Sequence, residues 1–265
     1  MPSNAEIDKL GARFQADPTD VATLSSLFQY CLLVKERTAP ILPQIERVTS
    51  LPIRKRAGKS FLSIREKLDR GTLKLSAMQD IEGCRIITDT LIEQNALIFR
   101  LRNLFEKTSI YDRRSDPSNG YRAVHVVTRL NGSRYEVQVR TVLQHSWAEV
   151  SERLAGRFGQ ELKYGGVPQS DVGRAVSKAL MDTSGGIEKF EEVEMYIWQL
   201  AFGVIDGPPE EMVDEIRFLL EHDTALPKFD EARSSAWADE AQRRLMTFRR
   251  MWQDSLVRDL EIGEI

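Results

Sequence analysis

The chain has few of the residues that build metal centres or covalent frameworks. Three histidines, His125, His145 and His222, in 265 residues argue against a multi-histidine metal site. The two cysteines, Cys31 and Cys84, are far apart and lack metal-type spacing, so buried free thiols in a reducing cytoplasm are expected. No run approaches the roughly 18 consecutive apolar residues of a membrane span. The N-terminal MPSNAEIDKL also lacks the pattern of a signal peptide. Together these absences predict a cytoplasmic protein with no membrane partner. An excess of one charge sign is missing too. The net charge of −3 provides no global basic field, so any nucleic-acid contact needs a local patch. Internal repeats and low-complexity tracts are absent.

What remains is an ordinary globular composition, 42% hydrophobic and 29% charged, long enough for one large domain or two small ones. Residues 4–16 read as a short helix. From Asp20 to about Val48, Val21, Leu24, Leu27, Phe28, Leu32 and Val34 recur at helical spacing, with Pro40 and Pro43 kinking or dividing the segment. A basic cluster (Arg54, Lys55, Arg56, Lys59) precedes Ser60 and a helix through about Arg70, which Gly71 ends. Ser63 and Lys67 are four apart there and share a face with the helix start. Free N–H groups, hydroxyls and lysines make a ready anion site, although a solvated basic face is the commoner fate of such clusters. Asp80 stands just before a predicted strand over 81–88. Ile81, Gly83, Arg85 and Ile87 take one side of it, Glu82, Cys84 and Ile86 the other. Asp80 can hold a cation there, or serve as a turn or cap residue.

Residues 91–105 predict an amphipathic helix that turns Leu91, Ile92, Leu97, Ile98, Leu101 and Leu104 toward a core. A strand over 108–111 and a polar loop over 112–118 follow. The run from Asn119 reads as a hairpin, with strands over 122–129 and 133–140 joined by Asn131-Gly132, then a helix over 142–157. In the second strand Glu136, Gln138 and Arg140 leave one face and Val137 and Val139 the other. A carboxylate, an amide and a guanidinium in a row suit a floor that handles phosphate and metal. A solvated strand face is the plainer reading of that strand alone. Beyond 163–168 the chain is almost wholly helical, with helices over 170–202, 209–222 and 229–260. Trp198, Trp237, Trp252, Phe218, Phe229 and Phe248 lie here as core or oligomer contacts. The element order predicts an α+β or α/β domain.

Four stretches then line up in order: Lys59 to Lys67 (KSFLSIREK), Asp80 to Arg85 (DIEGCR), Asn119 to His125 (NGYRAVH) and Glu136 to Thr141 (EVQVRT), with Trp147-Ala148 beyond. Each is weak alone. The set resembles the synthetase domain of the RelA/SpoT-like alarmone synthetases, in particular their small stand-alone members. The resemblance implies an α+β fold, a nucleotidyltransferase-like mixed sheet flanked by helices. N-terminal helices would occupy 1–50, the synthetase core 51–168 and a helical extension 169–265. It also implies Mg²⁺-dependent transfer of pyrophosphate from ATP to the 3′-hydroxyl of GDP or GTP.

By the same resemblance Lys59, Ser63, Lys67 and Arg70 would hold the ATP phosphates and Arg85 would flank the adenine. Asp80 and Glu136 would bind Mg²⁺, Glu136 also activating the acceptor hydroxyl. Tyr121, in the Asn119 loop, would stack on the acceptor base, with His125, Gln138 and Arg140 lining the acceptor phosphates or bracing the site.

The chain departs from the family pattern at three places. Ala57 stands where an arginine is expected, with Arg54 and Arg56 close by. Pro117 takes a lysine slot in the acceptor loop, with Arg113 and Arg114 as candidate replacements. Glu152-Arg153 replaces a Glu-His pair. The altered acceptor loop leaves two alternatives open: a toxic family member that pyrophosphorylates the 3′ end of tRNA, or a catalytically inactive nucleotide-binding module. A homo-oligomer built through the C-terminal helices is a further expectation. His222-Asp223 reads as a helix cap rather than a hydrolase metal centre, and His145 as a packed residue.

Overall fold

Residues 2–56, 58–71, 73–201 and 235–261 are described, in a computed structural model. Helix α1 (Asn4–Ala16) opens on a capping box in which Ser3 and Glu6 satisfy each other's backbone N–H groups. Asp20 caps α2 (Val21–Thr38), and Pro40 begins a separate short α3 (Ile41–Glu46), so the proline pair divides the helix. Strand β1 (Ile53–Lys55) leads to α4 (Phe61–Asp69). Gly71, at φ +70°, turns the chain out of α4. A short 3₁₀ turn (Leu75–Ala77) then precedes β2 (Gly83–Thr88). Next come α5 (Leu91–Leu104), β3 (Thr108–Asp112), β4 (Val124–Leu130) and β5 (Ser133–Thr141). The chain continues through α6 (Val142–Phe158), α7 (Glu161–Tyr164), α8 (Asp171–Ala201) and α9 (Ser235–Glu261).

The five strands form one mixed sheet in the order β1-β2-β5-β4-β3. The β4–β5 hairpin closes through Asn131 and Gly132 at φ +51° and +81°, the left-handed pair that a two-residue turn requires. Strand β5 pairs with β2 on its other edge, Glu136 N–H donating to the Glu82 carbonyl at 3.1 Å. Nothing in the sequence pattern announced β1. It is three residues long, carries Arg54 and Lys55, and sits at the sheet edge, where short charged strands discourage edge-to-edge pairing.

The chain folds as two compact units. The first comprises Met1–Ile87, Ala96–Asp112 and Val124–Val139. One face of its sheet is apolar: Cys84, Ile86, Val124, Val126, Val137 and Val139 pack with Ile41 and Ile45 of α3 and Leu97 and Leu101 of α5. Strand alternation therefore sends Arg85, His125, Arg134, Glu136 and Gln138 to the opposite, polar face. A second cluster joins α1, α2 and α4 through Phe14, Leu27, Val34, Ile64 and Leu68, with Leu75 and Ile81. The second unit comprises Thr88–Asn95, Arg113–Ala123 and Arg140–Ile265. Its core sets Leu143 and Trp147 of α6 against Ile187, Phe190, Val193 and Ile197 of α8, with Leu245 and Leu256 of α9.

Several expectations change. Ile92 is exposed, and Gln94, fully buried on the same helix, takes a core position because its amide finds a partner in Gln144 at 3.0 Å. Phe28 is exposed on α2. The polar face of β5 is not solvated, since Glu136, Gln138 and Arg140 are all buried. The predicted helix over 209–222 lies outside the described residues. So do Ala57, Phe218, Phe229 and His222-Asp223.

Candidate active site

The site in the first unit is built around two carboxylates. Ser60 caps α4, its hydroxyl accepting from the Ser63 N–H at 3.2 Å and donating to the Ser63 hydroxyl at 2.9 Å. Just before that cap, the Lys59 N–H donates to the Ile81 carbonyl at 2.9 Å, which ties the basic strap to the segment carrying Asp80. Lys59 Nζ and Lys67 Nζ then converge on Asp80 Oδ2, at 2.8 and 2.9 Å. Burial alone would raise the Asp80 pKa, but the two ammonium groups and their hydrogen bonds hold it well below the usual carboxylate range. Burial pulls the Lys59 ammonium down despite the aspartate beside it. Asp80 Oδ1 is buried with no hydrogen-bond partner.

Glu136, in the middle of β5, is the second carboxylate. Arg56 Nη1 reaches its Oε2 at 3.0 Å, and Gln138 Nε2 donates to the same oxygen at 3.0 Å. His125 Nδ1 lies 2.8 Å from Oε1. Burial pushes the Glu136 pKa up and Asp80 adds to that push. The hydrogen bond and charge of His125, together with Arg56, outweigh both, so the net shift is downward. Arg85 Nε approaches Gln138 Oε1 at 3.5 Å, linking β2 to this group. Gly83 makes the close pairing possible, because a Cβ on it would fall 2.3 Å from the Glu136 carbonyl oxygen.

Lys59, Lys67 and Asp80 thus form one cluster, and Glu136, His125, Gln138 and Arg85 form another coupled to it electrostatically. Ser63 stays in its own helix cap, and Arg70, exposed at the C-terminus of α4, donates to the Glu66 carbonyl at 3.2 Å. Asp80 is paired with Lys59 and Lys67 and Glu136 with Arg56, and Asp80 Oδ1 has a lone pair to spare. Among the described residues no group of three or more His, Cys, Asp or Glu side chains gathers to hold a metal. Asp80, with its unpartnered oxygen, and Glu136 are the residues that could hold a Mg²⁺, an ion that keeps much of its own hydration and needs few protein carboxylates.

Within the second unit, α8 shapes the loop from Asn119 to Arg122. Asn119 adopts φ +53° and donates through Nδ2 to the Lys163 carbonyl at 3.3 Å. Gly120, at φ +81°, lies so close to Trp147 and Ser184 that a Cβ would meet them at 2.7 and 3.2 Å. Ser184 Oγ donates to the Gly120 carbonyl at 2.6 Å. Arg122 forks onto Glu188 with bonds of 2.8 and 2.6 Å and reaches Ser184 Oγ at 3.1 Å. Arg140 donates to the Tyr121 hydroxyl at 2.8 Å, its guanidinium 4.9 Å from the ring centre. Arg114 is held by Gln94 and Asn95 at 3.1 and 2.7 Å, while Arg113 lies 3.8 Å from exposed Asp116. His145 Nε2 packs against Glu149 at 3.2 Å, one helical turn away.

Sequence reasoning missed the contact of Arg56 with Glu136 and the part played by Ser184, Glu188 and Glu191. The signal was present: these three lie at i, i+4 and i+7, a polar stripe on a helix read only for its aromatic and apolar content. Glu191 is buried, bonded by Thr141 Oγ1 and by Gln144 Nε2 at 2.8 Å. Burial raises its pKa to about 7 against the pull of these bonds and of Arg114 and Arg122.

Comparison with known proteins places these features in context. The family profile described as a region found in RelA / SpoT proteins matches residues 56–156. Uncharacterized proteins of Mycobacterium tuberculosis and Mycobacterium bovis are each 30% identical over 190 residues, covering 69% of this chain and 70% of theirs. Among solved structures, small alarmone synthetase 1 of Bacillus subtilis, bound to its product pppGpp, is similar with a TM-score of 0.50. That match has 18% identity and covers 65% of this chain and 96% of that one.

Proposed function

The chain belongs to the RelA/SpoT family of pyrophosphotransferases, and from that premise we propose that it transfers pyrophosphate from ATP to the 3′-hydroxyl of GDP or GTP with the help of Mg²⁺. The observation that carries this reading is the pair of buried carboxylates, Asp80 and Glu136, each held by cations and one with a free buried oxygen. In the reaction the acceptor oxygen forms a bond to the β-phosphorus of ATP, the bond from that phosphorus to the α-phosphate oxygen breaks, and AMP leaves. The proton of the acceptor hydroxyl passes to Glu136, whose carboxylate His125 and Arg56 hold in place.

Such transfer relies on positioning and charge neutralisation more than on covalent chemistry. Lys59 and Lys67 exchange Asp80 for the donor phosphates, with Ser63 and Arg70 completing the donor contacts from the same helix. Asp80, once the lysines have turned to phosphate, and Glu136 would be the residues that hold Mg²⁺. Bound Mg²⁺ would supply charge to offset the negative charge that builds on the phosphoryl oxygens. Arg85 flanks the adenine. Asn119, Tyr121 and Arg140 recognise the acceptor, and Gln138 orients Glu136.

The test offers labelled ATP separately with GDP, GTP and bulk tRNA and follows the label. Label in a 3′-pyrophosphorylated guanosine nucleotide is the expected outcome. Label in tRNA alone replaces the acceptor, and nucleotide binding without any transfer overturns the enzymatic reading.

A further inference from the structure

The polar face of the sheet does not end at Glu136. Along the same strands it continues into an open groove of about 460 Å³, lined by Gln79, Glu106, Lys107, Tyr111, Arg129 and Arg134 among others. Arg134 stands two residues from Glu136 on β5, so the groove begins roughly 7 Å along the strand from that carboxylate. Arg129 on β4 and Arg134 on β5 are direct cross-strand partners in the hairpin register. Like charges placed opposite one another destabilise a sheet unless something neutralises them. Arg134 donates to the Ser76 carbonyl at 2.6 Å, which fixes the guanidinium without cancelling its charge. Its pKa is drawn down by burial and then by Arg129. Lys107 and Arg129 are exposed and make no salt bridge among the described residues, and Glu106 is the one acid in the lining. Tyr111 lends a half-exposed ring, its hydroxyl held by Gln79 Nε2 at 2.7 Å.

A solvated basic face spreads its cations, but here the hairpin register locks two of them together in a concavity with a third. We propose that this groove binds the phosphate chain of an anionic ligand, at a site adjoining the transfer floor and separate from the Lys59–Lys67–Asp80 cluster. Phosphate oxygens bridging Arg129 and Arg134 would remove the cross-strand repulsion, Lys107 would bind as a point charge, and Tyr111 would offer a platform to a base.

The site does not depend on the transfer reaction and is tested without acceptor or Mg²⁺. Inorganic tripolyphosphate, and in a second arm GTP, is titrated calorimetrically into full-length Lys67→Gln protein, in which the donor cluster is weakened. Adding Lys107→Gln and Arg129→Gln is expected to lower affinity at least tenfold, while Arg102→Gln, a control at an exposed position of α5, leaves it unchanged. An equal loss of affinity for both probes on the groove substitutions identifies the phosphate chain alone as the ligand, and a larger loss for GTP identifies a nucleotide. The proposal is overturned if the groove substitutions leave affinity unchanged, or if Arg102→Gln lowers it as much. Loss of transfer activity with groove binding intact would remove only the catalytic reading.

Discussion

At the level of single residues, the site is a set of charges that hold one another in place until substrate arrives. Glu136→Gln keeps the size of the side chain and removes its charge. The expected result is a fall in pyrophosphate transfer of about a hundredfold or more, measured as labelled product under saturating ATP. Asp80→Asn acts on stability as well. It leaves the buried Lys59 ammonium without its counter-charge, a change that costs roughly 3 kcal/mol where one partner of a buried pair is removed. Because the Asp80 carboxyl is held below its unfolded value, its contribution is present above about pH 4 and is lost as pH falls through the folded value. Urea melts at pH 7 should therefore separate wild type from Asp80→Asn, and melts at pH 3 should bring them closer. Equal separation at both values would show that the lysines do not depend on the Asp80 charge.

At the level of elements, the hairpin and its neighbours were legible because they follow local rules. Asn131-Gly132 named the turn, the alternation from Ser133 named β5, and Pro40 named the break between α2 and α3. The burial of Glu136 and Gln138 was not legible. Alternation assigns a side to each residue but does not tell whether that side meets water. Edge strand β1 was hidden for a related reason: three residues with two cations give no period to read. The use of α8 depends on contacts between segments more than sixty residues apart, as from Ser184 to Gly120.

Two predictions belong to this level. Gly83→Ala puts a methyl against the Glu136 carbonyl, so β2 and β5 must move apart. Its expected cost is about 1–3 kcal/mol, with a parallel loss of transfer activity. A variant as stable and active as wild type would show that the pairing tolerates the methyl. Glu188→Gln weakens the fork that orients Arg122 beside Tyr121. It should raise the acceptor KM several-fold while leaving the ATP KM unchanged, a split that general destabilisation would not produce.

For the molecule as a whole, the C-terminal extension contributes more than apolar packing. Glu194 of α8 pairs with Arg249 of α9, both largely buried, and Glu191 lies between Thr141 and Gln144. Glu191 also gives the protein a pH signature of unusual sign. The folded state holds its proton up to about pH 7, whereas the unfolded chain releases it near 4.5. Between these values the native state binds more protons, so stability falls as pH rises and levels off above 7. A shift of this size corresponds to at most about 3 kcal/mol. Glu82 and Glu192, also raised by burial, add slopes of the same sign. Asp80 and Glu136, lowered in the fold, act in more acidic solution. The measurement is therefore a difference: thermal melts of wild type and Glu191→Gln compared at pH 5 and pH 8. Wild type should lose stability across that interval, and Glu191→Gln should lose less, because its amide keeps the Thr141 contact without a titrating proton. Identical pH dependence in the two proteins would mean that Glu191 is ionised in the fold, with Arg114 and Arg122 outweighing its burial.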